Sequence, residues 1–222
     1  MQNNNQNQIA AALLIAGVMI SGAILLKDSQ PPSGEPSDAN NNGNISVEMS
    51  PINKDDHIVG NPNAKIIIVE YSDLDCPYCK VFHQTMQQVV ASNQNVAWVY
   101  RHYPIPALHP DAFKKAEATE CAWEQGGNDA FWAYTDKLFE ETYSLSELPN
   151  LAQSLGLNVN TFNTCLSSGK YAAKIQADID GGNLAGVSGT PSSFIVVDGK
   201  VVDTIPGAQP LNIVNERLKE IR

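Results

Sequence analysis

The sequence predicts an α/β fold in which a βαβ unit and a ββα unit flank a long helical block. Three observations carry that reading. Lys65 to Tyr71 (Lys-Ile-Ile-Ile-Val-Glu-Tyr) is a nearly continuous β-branched run, as in a strand buried on both faces. Pro77 to about Ser92 sets Val81, Phe82, Met86, Val89 and Val90 at helical spacing, and Val96 to Tyr103 follows as a second strand, parallel to the first through that helix. Near the C-terminus Asp198-Gly199 separates two short runs, Ser193 to Val197 and Lys200 to Thr204, as the type I′ turn of a hairpin does.

The elements between follow from breaks in an otherwise helical pattern. From His109 to about Leu184 the candidates are 110–125, 128–142, 146–155, 159–167 and 170–184, interrupted at Gly126-Gly127, Gly156 and Gly169. Gly186 to Pro191 (Gly-Val-Ser-Gly-Thr-Pro) marks a tight loop, and Leu211 to Ile221 closes the chain as a helix. The 222 residues leave room for one domain once the N-terminal segment is set aside, and 43% apolar content suffices for its core.

Ile9 to Leu26 is uncharged and apolar. As a helix it would be about 27 Å long, close to the hydrocarbon thickness of a bilayer. A polar Asn/Gln tail precedes it, and no clean Ala-x-Ala site follows. Residues 1–27 are therefore expected to be a membrane anchor or signal segment, with retention favoured. Residues 28–50, rich in Ser, Pro, Asn and Gly, read as a flexible linker. The folded domain is expected over 51–222 and outside the cytoplasm. A net charge of −10 argues against nucleic acid, which wants a basic face.

The chemistry concentrates at Cys76-Pro77-Tyr78-Cys79, between the first strand and its helix. The C-x-x-C spacing serves either a redox disulfide or half of a metal site. Cys76, Cys79 and His83 make C-x2-C-x3-H, but no fourth ligand is evident and Cys79 is expected to be buried, so no metal is expected. For redox work the position is favourable. A sulfur at a helix N-terminus meets unsatisfied N–H groups and the positive end of the helix dipole, which favour thiolate. Pro77 suits the first turn, where a missing N–H costs nothing. Cys76 is thus expected to be the nucleophile and Cys79, one turn on and more buried, the resolving thiol. Glu70, in the apolar strand, is expected to have a raised pKa and to relay protons to Cys79. Pro191 follows either an ordinary trans bond or a cis bond that would expose the Thr190 backbone for pairing with a substrate strand.

Glu70 six residues before Cys76, the Cys-Pro-Tyr-Cys motif, the helical insertion and Gly189-Thr190-Pro191 together resemble the DsbA-like thiol:disulfide oxidoreductases, in particular their membrane-anchored bacterial forms. The resemblance covers about Asp56 to Arg222. It implies a thioredoxin-like fold with an inserted all-helical subdomain at about 105–186, and a cis bond before Pro191. It implies an enzyme without a cofactor that introduces disulfides into reduced or unfolded exported proteins, with Thr190, Pro191, Pro77 and Tyr78 meeting the substrate. It also implies re-oxidation by a quinone-linked membrane partner of DsbB- or VKOR-like type, in the cell envelope, and a monomer is expected. Two departures keep open the alternative of a reductase or isomerase fed by a membrane electron donor. The middle pair is Pro77-Tyr78 where the best-known oxidant has Pro-His, and Thr190 before the proline is a residue seen in isomerase and reductase relatives.

Cys121 and Cys165 fall in two different candidate helices. Some members of the family carry a structural disulfide here, and in an exported chain a bridge is favoured over two buried thiols. His102 and His109 are expected to hydrogen-bond around the Tyr103-Pro104-Ile105-Pro106 loop. Trp123, Phe131, Trp132 and Phe139 are expected in the core.

Overall fold

In a computed structural model, residues 47–61 and 63–221 are described. The anchor or signal segment and most of the linker, through Ser46, lie outside them. The sheet has five strands, β1 (His57–Gly60), β2 (Ile66–Ser72), β3 (Val96–His102), β4 (Ser192–Val197) and β5 (Lys200–Pro206), in the order β1-β3-β2-β4-β5. β2 and β3 are parallel, with α1 (Pro77–Ser92) as their crossover, and the other neighbours are antiparallel. Parallel neighbours need such a crossover, whereas β4 and β5 join through Asp198 and Gly199, both at positive φ as a primed hairpin turn demands.

The helical block is α2 (Ala112–Glu140), α3 (Leu148–Ser154), α4 (Val159–Ser168) and α5 (Ala172–Leu184), and α6 (Leu211–Glu220) closes the chain. The run α2 breaks at Gly126-Gly127, as the sequence predicts: Gly126 (φ −138°, ψ 15°) and Gly127 (φ 64°, ψ −153°) leave the helical region, so two helical segments meet there across a kink. Strand alternation then divides the core. Ile66, Ile68, Trp98 and Tyr100 face α1, α2 and α6, where Phe82, Met86, Phe131 and Leu218 pack. Val69, Tyr71 and Val99 face the other way, against Ala185, Val187 and the incoming segment of Val47, Met49 and Ile52. Arg101 ties that segment down through both carboxylate oxygens of Asp56 (2.8 and 3.0 Å) and the Ser50 and Pro51 carbonyls. The last residues assigned to the linker therefore lie against the sheet. On this side α5 approaches closely: a Cβ at Gly182 would stand 2.7 Å from the Tyr103 ring.

β1 has no counterpart in the sequence reading. It is four residues long, too short for a periodicity, and its pairing with β3 holds it as an edge strand.

Cys121 of α2 and Cys165 of α4 form a disulfide across 44 residues of sequence. In the chain-entropy account a closed loop of that size stabilises by about 4 kcal/mol. A Cys121→Ala, Cys165→Ala protein is expected to unfold with a free energy lower by about 2–4 kcal/mol in urea titrations. A change below about 1 kcal/mol would show that the bridge adds little to the domain.

Candidate active site

β2 ends at Ser72 and α1 begins at Pro77, so the intervening turn delivers Cys76 to the N-cap of α1. Asp73 holds this turn in place. Its Oδ1 accepts from the Asp75 amide (2.8 Å), while its Oδ2 accepts from the Ile105 amide (2.8 Å) and pairs with His109 Nδ1 (2.9 Å). Asp75 forms an ion pair with Lys115 of α2. Cys76 retains 6% of its surface and Cys79 none, whereas Tyr78 between them is 67% exposed. Thus the Cys79 sulfur is sealed, Cys76 sits just under the surface, and Tyr78 is exposed between them.

The loop before β4 reaches the same place. The Thr190–Pro191 peptide bond is cis, and Cys76 Sγ lies 3.5 Å from the Thr190 carbonyl oxygen. Cys76, Cys79, Pro77, Tyr78, Thr190 and Pro191 are thus gathered at one end of the sheet, although more than 110 residues separate the two segments.

The two sulfurs have opposite electrostatics. The Cys76 thiol is lowered to about 5, chiefly by a hydrogen bond from Cys79. The Cys79 and Tyr78 amides and the Thr190 side chain add to this against the cost of burial. Burial, Cys76 and then Glu70 push the Cys79 thiol well above its ordinary range, although the Asp73 amide donates to its sulfur at 3.5 Å. Glu70 is wholly buried and is raised to about 8, first by burial and then by Cys76. Ser72 and Trp98 oppose that rise without reaching hydrogen-bonding geometry, so both carboxylate oxygens remain without a partner.

The histidines lie elsewhere. His83 pairs through Nε2 with Asp136 (2.6 Å) and packs against Trp98 and Phe139 rather than joining the cysteines. His102 does not bond into the Pro104–Pro106 loop. Its Nε2 lies 3.0 Å from Glu120 Oε1, which also meets His57 Nε2 (2.7 Å) and Lys174 Nζ (3.1 Å). His57, His102 and Glu120 are the one metal-capable cluster among the described residues. The Lys174 ammonium on the same oxygen already balances the carboxylate, so the group is a closed ionic knot that joins β1, β3, α2 and α5. Phe131, Trp132 and Phe139 are core residues, and Trp123 packs at its margin.

Sequence reasoning missed Asp73, Ser72, Tyr100 and the Glu120 knot. Ser72 could have been found, because it lies two residues beyond Glu70 and strand alternation sets both on one face. Tyr100 needed the β2–β3 register, which pairs it with Glu70.

The family described as Thioredoxin matches residues 52–214. The chain belongs to the thioredoxin family. Within it, the fold with its helical insertion is DsbA-like. Among solved structures, Pseudomonas aeruginosa DsbA2 is similar, with a TM-score of 0.65 at 26% identity over 75% of this chain and 94% of that one. Bacillus subtilis BdbD in its oxidised form has a TM-score of 0.64 at 24% identity, covering 78% of this chain and 96% of that one, a likeness of fold. The Na(+)/H(+) antiporter NhaA 1 of Salinispora arenicola is 36% identical over 150 residues, which are 66% of this chain but 22% of that protein. This chain spans about a fifth of the length of the curated relatives it matches, and the antiporter name is not carried over. Among the described residues, no helix is long and apolar enough to cross a membrane.

Proposed function

We propose that the protein works as an oxidase that introduces disulfides into reduced, unfolded exported proteins. The observation that carries this is the divergence of the two sulfurs, with Cys76 held toward thiolate and Cys79 held as thiol. A stabilised Cys76 thiolate favours the reduced enzyme, which makes the Cys76–Cys79 disulfide a ready electron acceptor.

A substrate thiolate attacks Cys76 Sγ in the oxidised enzyme. The Cys76–Cys79 bond breaks, and Cys79 leaves and takes a proton from Glu70. The second substrate thiolate attacks the substrate sulfur of the mixed disulfide, and Cys76 leaves as thiolate. The substrate gains one disulfide and the enzyme two electrons. A substrate strand pairs with the Thr190 backbone while Tyr78 covers its flank.

The remaining features fit work outside the cytoplasm. A structural disulfide between Cys121 and Cys165 suits an oxidising compartment. Residues 1–27 would hold the domain at the membrane, near a quinone-linked protein of DsbB- or VKOR-like type that re-oxidises it. Paired assays test the direction. The oxidised protein is expected to speed disulfide formation in a reduced, unfolded protein and to do little in thiol-driven reduction of insulin. Rapid insulin reduction without substrate oxidation would favour the reductase reading.

A further inference from the structure

Glu70 and Cys79 exchange a proton in the mechanism proposed above, yet both are fully buried. What lies around them is hydroxylic. Ser72 follows Glu70 by two residues on β2 and shares its face of the sheet, and Tyr100 is the register partner of Glu70 on β3. The Asp73 amide meets the Cys79 sulfur at 3.5 Å, which brings that sulfur to the end of β2, beside Ser72. The Ser72 hydroxyl acts on the ionisation of Glu70, Cys79 and Tyr100 alike, and Tyr100 feels the charges of Cys79, Glu70 and Asp73. Ser72 Oγ, Tyr100 OH and both Glu70 oxygens are buried without a hydrogen-bond partner.

Buried hydroxyls beside an unpaired carboxyl are costly in a purely structural role, and apolar residues would fill the space better. We infer that Ser72 and Tyr100, whose hydroxyls are unbonded with both thiols free, turn them toward Glu70 and Cys79 as the disulfide opens and so carry the proton between the two. As the Cys76–Cys79 bond breaks, the Cys79 sulfur takes the proton of a bridging hydroxyl. That hydroxyl recovers one from the Glu70 carboxyl, which becomes carboxylate. No electrons move in this transfer. The other titratable groups on this side are Cys76 at the N-cap of α1, His102 from β3, and Asp73 from the connecting turn. His102 is engaged with Glu120 and Asp73 with His109, so neither is placed to give up a proton without breaking an existing pair.

The inference rests on the proton role given to Glu70, and the test separates the two. The oxidised full-length protein is mixed rapidly with a reduced cysteine peptide between pH 5 and 10, and reduction of the Cys76–Cys79 bond is followed. With the rate divided by the peptide's thiolate fraction, wild type is expected to slow as pH rises through the Glu70 ionisation. Ser72→Ala with Tyr100→Phe is expected to be about tenfold slower at pH 7 and to lose that limb. The Cys76 thiolate titration in the reduced form should stay in place. Ser72→Thr, which keeps the hydroxyl, should retain the limb. Tyr100→Phe removes only an unbonded oxygen, so folding is preserved; if the double variant does not fold, Ser72→Ala and Tyr100→Phe are read singly, and rate and limb retained in both overturn the bridge. A Glu70→Gln protein with wild-type rate and limb would overturn the proton role of Glu70 and the bridge with it. Loss of the limb in Glu70→Gln, with rate and limb retained in Ser72→Ala and Tyr100→Phe, singly and combined, would overturn the bridge alone.

Discussion

Replacing Cys76 with serine is expected to remove catalysed disulfide transfer, lowering the rate by roughly a thousandfold or more, the scale on which loss of a covalent nucleophile acts. The reason lies in the geometry. Cys76 is the sulfur at the helix N-cap, the one that keeps some exposed surface, and the one beside the Thr190 carbonyl. Serine keeps the shape but forms no disulfide. Cys79→Ser has a different signature, because the leading sulfur remains and the resolving one is gone. That protein should accumulate mixed disulfides with reduced substrates, visible on non-reducing gels and absent from Cys76→Ser. Conjugates formed by Cys76→Ser instead would reverse the two roles.

The second large effect concerns stability. Glu120→Ala is expected to cost about 3–5 kcal/mol, because it removes the shared partner of two buried imidazoles and leaves a gap between them, with Lys174 retaining only Asp178. For a domain of this size that corresponds to a drop of about 10 °C or more in Tm, measurable by circular dichroism. The same knot makes the fold acid-sensitive. Hydrogen bonds and charge from His102 and His57 hold Glu120 well below the usual carboxylate range despite its burial, so its contribution is present above about pH 4.5 and lost as pH falls. Burial lowers the His57 pKa, so below about 6.5 the unfolded chain takes up a proton that the fold resists. Both signs agree: wild-type stability should fall as pH drops from about 6.5 toward 4, and Glu120→Ala should flatten the lower part of that slope. A cost below about 1 kcal/mol would mean that the knot is not a buried ionic tie.

Much of this molecule is legible in its sequence, for identifiable reasons. The β-branched run of β2, the Asp-Gly turn of the hairpin and the helical breaks at Gly156 and Gly169 are local signals, and each element forms close to its expected place. The candidate site is legible because Cys76, Cys79 and Glu70 fall within ten residues and their setting follows from one strand and one helix. What is hidden depends on distance. β1 exists only because β3 offers it an edge, and Glu120 becomes a partner of His57 and His102 only when α2 packs on the sheet. Asp73 reads as one acidic loop residue among several until the fold brings Ile105 and His109 to it. Tyr100 reads as core, and only the register makes it the cross-strand neighbour of Glu70.

The central claim is that the Cys76 environment makes the disulfide oxidising, and the equilibrium potential of the Cys76–Cys79 pair against glutathione at pH 7 tests it most directly. A thiol lowered to about 5 stabilises the reduced form at pH 7 by about 2–3 kcal/mol over one that titrates normally, which moves the potential upward by roughly 50 mV. The expected potential lies above about −200 mV, with the shift lost when the pair is measured in the unfolded chain. A potential near −270 mV, the range of a dedicated reductant, would contradict it.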